Sequence, residues 1–171
     1  MSSEEVSPYR RAFRAWVEAY NSWDADRIMA CYDESLVHNI LPKSLNRPAR
    51  SKEEYGRYLR EEAIPLFKSF KVIVHELFED GPRISAHASS VAESCTGAPY
   101  ENEYNLMAHF APASPDSDIL PKIIQVKEFV DSGYALKFFQ DEKARMQERE
   151  RDKRLKEEAE ESGKKGGVVD V

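Results

Sequence analysis

Apolar residues recur at helical spacing along the first part of the chain. Phe13, Trp16, Val17 and Tyr20 fall on one face at i, i+3, i+4 and i+7, which predicts an amphipathic helix over residues 7–22. Ser7 is placed to cap it, and Pro8 suits its first position. Asp24 is expected to cap a short second helix carrying Ile28, Cys31 and Tyr32. The run Leu36-Val37-His38-Asn39-Ile40-Leu41, closed by Pro42, reads as a strand. Ser51 and Glu54 have capping-box spacing and open a third helix. Its inner face should hold Tyr55, Tyr58, Leu59, Glu62 and Leu66, with Pro65 bending or ending it.

After Phe70 the period changes from helical to alternating. Lys71–Glu79, Arg83–Cys95, Tyr100–Phe110 and Lys122–Asp131 read as four consecutive strands. Asp80-Gly81-Pro82, Thr96-Gly97-Ala98-Pro99 and the loop 111–121 link them, and the short turns imply antiparallel pairing. Helix, helix, strand, helix and then a meander make an α+β layout, with helices covering one face of a curved sheet.

Charge divides the chain in two. Of 25 basic and 31 acidic residues in 171, nine and ten respectively fall in residues 141–171. Residues 141–161 hold only Met146 and Leu155 as large apolar side chains, so a solvated helix laced by i,i+4 ion pairs is expected there. It should fray into a disordered Gly-Lys-Lys-Gly-Gly end. Repeating a and d apolar positions for a coiled coil are absent. The body, residues 1–140, is expected to form one domain, and 141–171 an extension. An acidic body is a poor partner for nucleic acid. No apolar run reaches 18 residues, which argues against a membrane span, and MSSEEVSPYRR lacks a signal-peptide layout. Cys31 and Cys95 form no disulfide framework. These features predict a soluble cytoplasmic protein.

Neither a Gly-rich phosphate loop nor a G-x-S-x-G elbow occurs. His38, His75, His87 and His109 stand singly, without metal-ligand spacing, so no metal is expected. The informative residues are polar groups on strand faces that should be core. In Tyr100–Phe110 the more apolar parity carries Asn102 and Tyr104 inward. Glu128 shares a face with Ile124, Val126 and Val130, where a carboxyl loses water and suits proton transfer. His38 alternates with Leu36 and Ile40 in the same way. Structural roles stand beside these: Glu128 paired with an arginine, His38 and Tyr104 as hydrogen-bonded core, Asp131 capping the turn that follows its strand.

Two stretches resemble the closing strands of SnoaL-like proteins of the nuclear-transport-factor-2-like superfamily. They are Gly97-Ala98-Pro99-Tyr100-Glu101-Asn102-Glu103-Tyr104 and Lys122-Ile123-Ile124-Gln125-Val126-Lys127-Glu128-Phe129-Val130-Asp131-Ser132. Trp16…Tyr20-Asn21-Ser22-Trp23-Asp24 and the strand before Pro42 fit the same pattern, and the resemblance spans residues 8–140. It implies a cone-shaped α+β barrel, a curved antiparallel sheet wrapped around N-terminal helices and a deep pocket, with the charged helical tail outside. It also implies dimerisation through the outer sheet face and chemistry without metal or organic cofactor. Glu128 and Asp131 match the acidic pair ending the last strand, Asn102 and Tyr104 the polar pair before it, and His38 falls on a strand that lends a pocket group. The Tyr-His-Asp-His grouping of a dehydratase is missing, as is an arginine beside the last-strand carboxylate of an epoxide hydrolase.

The expected function is isomerisation, cyclisation or elimination beside a carbonyl of a bulky, mostly apolar small molecule. Glu128 is the expected acid or base, with His38 as its proton partner, Tyr104 and Asn102 as donors to an enolate or alkoxide, and Asp131 nearby. Tyr55, Tyr58, Phe67, Leu106 and Phe110 are the expected lining. The alternative is a non-catalytic small-molecule-binding or dimeric interaction domain.

Overall fold

All three predicted helix caps close in the computed structural model, which describes residues 6–114 and 118–165. Helix α1 (Pro8–Asn21) starts where Ser7 Oγ accepts from the Arg10 amide at 3.0 Å. Helix α2 (Ala25–Ala30) starts where Asp24 accepts from Asp26 and Arg27. Helix α3 (Lys52–Tyr58) opens on the reciprocal Ser51–Glu54 box and passes through a π-turn, Leu59–Ala63, into α4 (Ile64–Leu66), where Pro65 ends the helical run.

Five strands form one curved sheet in the order β1-β5-β4-β3-β2. They are β1 (Tyr32–Leu41), β2 (Phe67–Asp80), β3 (Arg83–Ser94), β4 (Pro99–Phe110) and β5 (Ile123–Val130). The meander β2–β5 is antiparallel as expected. One pairing departs from the fully antiparallel sheet: β1 runs parallel to β5, with His38 opposite Val126 and Ile40 opposite Glu128. Helices α3 and α4 with the π-turn between them, and then strands β2–β4, separate these two strands, so no hairpin constrains their direction. Strand β1 also starts earlier than its apolar run, because Tyr32, expected on α2, begins it. Polar Asp33, Glu34 and Ser35 hide that beginning from a hydrophobic pattern.

The inner face of β3 is Ile84, Ala86, Ala88, Ser90, Ala92 and Ser94, all buried. These small side chains leave room for the rings α1 brings to the same core: Phe13, Trp16 and Tyr20. Helix α5 (Ser132–Lys165) continues without a break past residue 140. Its first turns are not solvated on every side. Phe138 stacks on Phe67 at 6.0 Å, and Glu142, with an almost fully buried side chain, binds Thr96 Oγ1 at 2.8 Å and Arg145 at 2.7 Å. Arg149 donates to the carbonyls of Cys95 and Thr96. The later turns are exposed and carry the expected kind of pair, Lys153 with Glu157. The centre of the loop 111–121 (residues 115–117) and the end of the tail (166–171) lie outside the described residues. Among the described residues no helix is long and apolar enough to cross a membrane.

Candidate active site

A cavity of about 330 Å³ opens between the inner sheet face and the helices α1 and α3. Helix α3 and its π-turn present Tyr55, Tyr58, Leu59, Glu62 and, beyond them, Leu66, the five positions that helical spacing places on the inner face. Strand β4 presents Tyr100, Asn102, Tyr104 and Leu106, and β5 presents Glu128 and Val130. Phe67, Phe70 and Trp23 form an aromatic side wall, in which Trp23 stacks on Phe70 with centroids 4.7 Å apart. Trp23 has a left-handed backbone, φ 51°, held by its indole N–H on the Phe67 carbonyl at 2.9 Å. Half-exposed Leu136 and Phe139 of α5 mark the open side together with exposed Arg47.

Among the described residues, Glu128 carries the one carboxylate that reaches this cavity from the sheet. Its Oε1 lies 3.3 Å from Nε2 of His38, one strand away on the same inner face. His38 is not part of the wall: it is fully buried behind Glu128 and stacked under Tyr55, ring centroids 3.9 Å apart. The 3.3 Å approach lacks hydrogen-bond alignment, and among the described residues neither ring nitrogen of His38 has a hydrogen-bond partner. No Arg or Lys among the described residues forms an ion pair with Glu128.

Six tyrosines lie near enough to the carboxylate to feel its charge, five of them in two hydrogen-bonded chains. In the first, Trp16 Nε1 donates to Tyr32 Oη at 2.8 Å, Tyr32 meets Tyr20 at 3.2 Å, and Tyr20 meets Tyr55 hydroxyl to hydroxyl. In the second, Asn102 Nδ2 donates to Tyr100 Oη at 2.8 Å, Tyr100 approaches Tyr104 at 3.4 Å, and Tyr104 meets Ser90 at 3.0 Å. Tyr58, whose ring carries the Arg50 guanidinium, is the sixth. Burial raises the ionisation of Tyr20, Tyr32, Tyr55, Tyr58, Tyr100 and Tyr104, Tyr58 to about 12, and the Glu128 charge pushes all six the same way. All six therefore keep their protons at neutral pH.

Seven sequence-predicted site residues meet in this cavity: Glu128, Asn102, Tyr104, Tyr55, Tyr58, Phe67 and Leu106. Asp131 does not reach it. Its Oδ1 accepts from the Tyr134 amide at 3.1 Å and caps α5, the structural role open to a carboxylate at a strand end. Phe110 lies outside as well, buried against Tyr9 at the far end of β4, four residues beyond Leu106. Sequence reasoning missed Tyr20, Trp23, Arg47, Arg50 and Tyr100 as wall residues. Tyr100 was legible, because it shares the parity of Asn102 and Tyr104 on β4.

No family model matches the chain. Two curated fungal proteins are similar over most of its length. "Core atranone cluster (CAC) protein 11" of Stachybotrys chlorohalonatus is 29% identical over 126 residues, 72% of this chain and 88% of that one. A Claviceps purpurea protein named "Monooxygenase" is 21% identical over 126 residues, 73% of this chain and 76% of its own. Among solved structures, BvnE pinacolase from Penicillium brevicompactum superposes with a TM-score of 0.70 at 21% identity, over 84% of this chain and 97% of that one. A putative SnoaL-like polyketide cyclase from Shewanella denitrificans superposes with a TM-score of 0.62 at 10% identity, over 78% and 97%. The chain has the fold of the SnoaL-like, nuclear-transport-factor-2-like superfamily.

Proposed function

We propose that the protein is a cofactor-free isomerase or cyclase that moves a proton beside a carbonyl of a bulky, mostly apolar small molecule. The observation that carries this reading is the state of Glu128. It projects into an aromatic cavity, and its close titratable neighbour is a buried histidine rather than an arginine or lysine. A structural carboxylate would be neutralised by a fixed cation. One held beside an imidazole can give and take protons.

In this reading Glu128 abstracts or delivers the proton, and His38 accepts or returns charge from behind it. Tyr104 and Tyr58 present protonated hydroxyls to the developing enolate or alkoxide, at about 3 kcal/mol of barrier per well-placed donor. Asn102 acts partly through another group: its amide is spent on Tyr100, which it holds against Tyr104. The stacked and edge-on rings of Trp23, Phe67 and Phe70 supply an apolar bed for the substrate skeleton. The names of the similar solved structures, a pinacolase and a polyketide cyclase, agree with a reaction on a small organic molecule.

The test compares small molecules in three strains of the native host: intact, deleted for this protein, and carrying Glu128→Gln. The same new intermediate is expected to accumulate in the last two, and its structure identifies the substrate. A profile altered by deletion but not by Glu128→Gln removes Glu128 from the mechanism. A profile altered by neither favours a binding module.

A further inference from the structure

The cavity has a second charged side that the proton chemistry does not use. Leu45, Arg47 and Arg50, on the segment between β1 and α3, also line it. Arg50 is held in place by its backbone. Its amide donates to the His38 carbonyl and its carbonyl accepts from the His38 amide, both at 2.9 Å, so β1 fixes the base of Arg50 and the imidazole together. Its guanidinium carbon lies over the Tyr58 ring, 4.4 Å from the centroid. Among the described residues neither Arg47 nor Arg50 makes an ion pair or donates a side-chain hydrogen bond, whereas Arg10, Arg60 and Arg145 are each paired.

An unpaired guanidinium on the wall of a largely apolar cavity lacks an anion to offset its desolvation. Neither wall carboxylate, Glu128 or Glu62, forms an ion pair with it among the described residues, and Glu54, which feels the Arg50 charge, is exposed and accepts from the Ser51 amide instead. We infer that Arg50, with Arg47 at the rim, binds a carboxylate carried by the substrate. A guanidinium fork matches a carboxylate through two parallel charge-assisted bonds. This names the substrate class within the function proposed above: an apolar skeleton with an acidic group held at the mouth, and its reacting carbon turned inward to Glu128. The anion also stays away from Glu128, which it would otherwise repel.

Equilibrium dialysis of the full chain with 2-naphthylacetate and its uncharged analogue 2-naphthylethanol tests the inference. The acid is expected to bind at least about tenfold more tightly at low salt, with the preference shrinking as salt rises. Arg50→Met should bring the two affinities within about twofold of each other by weakening the acid, and an unaltered far-ultraviolet circular dichroism spectrum reports that the variant is folded. Arg50→Lys should keep part of the preference. Equal affinity for the two probes in the unaltered protein overturns the inference, as does binding of neither, or a preference that survives Arg47→Met with Arg50→Met. Because this assay reads binding and the strain comparison reads turnover, either reading can fail while the other stands.

Discussion

The Tyr55 ring lies flat against the His38 imidazole, centroids 3.9 Å and planes 16° apart, while its hydroxyl is bound to Tyr20. The contact links a buried chain of hydroxyls to the orientation of the imidazole facing Glu128. Tyr55→Phe keeps the stacking ring and loses one hydrogen bond. It should cost about 1 kcal/mol in urea unfolding and change turnover only a few-fold. Tyr55→Ala removes the ring, should cost about 3–5 kcal/mol, and should depress turnover as well by freeing the imidazole. Equal turnover in the two variants would separate the stack from the chemistry.

Glu128→Gln is nearly isosteric and should leave the far-ultraviolet circular dichroism and the melting temperature close to those of the unaltered protein. Turnover of the intermediate identified from the host should fall at least about a hundredfold. His38→Gln should lower turnover less, because it leaves the carboxylate in the cavity. A His38→Gln loss larger than that of Glu128→Gln would reverse the two roles.

Much of this arrangement was legible because inner and outer faces alternate. Parity alone turned Asn102, Tyr104 and Glu128 inward, and helical spacing placed Tyr58 and Glu62 on the wall. Parity carries no information about position along a strand, which is why Phe110 was drawn into a cavity that ends near Leu106. Asp131 follows the last residue of β5, where alternation stops and helix capping takes over. The arginines sit in an irregular segment without a period, so only coordinates could bring Arg50 beside His38. The parallel β1–β5 pairing was hidden for a related reason, since it joins residues roughly ninety apart with no turn to announce it.

Trp16 makes the hydroxyl chain costly to interrupt. Its buried Nε1 donates to Tyr32, so Tyr32→Phe strands a donor as well as removing a hydroxyl. The expected cost is about 2 kcal/mol, more than for Tyr55→Phe. Chemical denaturation of both variants side by side gives the comparison, and equal losses would mean that the Trp16 bond contributes nothing.

Six of the eight tyrosines are raised above the ordinary value of 10.0, first of all by burial. The folded protein therefore holds protons that the unfolded chain releases as pH climbs past that value. The stability tied to these hydroxyls is intact below pH 10 and is lost progressively above it. Absorbance at 295 nm should show most tyrosines still protonated at about pH 10.5 in the folded protein, and a jump in tyrosinate on adding urea at that pH. A folded-state titration with all eight ionising near 10 would contradict the buried network.

Glu142 behaves in the opposite sense. Burial pushes its carboxyl up, but hydrogen bonds from Ser94, Thr96 and Arg145 outweigh it and hold the group below the ordinary 4.5. The folded state thus favours the charged form, and the stability it lends is present above pH 4.5 and fades as the carboxyl is protonated below that. What it stabilises is the seat of α5 on the turn after β3, and α5 brings Ala135, Leu136 and Phe139 to the cavity. Glu142→Ala, which leaves the Thr96 hydroxyl and Arg145 without their acceptor, should cost about 1–3 kcal/mol and speed amide exchange along the first turns of α5. Removing residues 152–171 should change neither, because the anchoring contacts described for α5 end at Arg149. Removing 141–171 should reproduce the Glu142→Ala loss and loosen the cavity mouth. If instead the longer truncation leaves exchange in residues 132–140 unchanged, Phe138 on Phe67 is enough to seat the helix, and the carboxylate only steadies the turn.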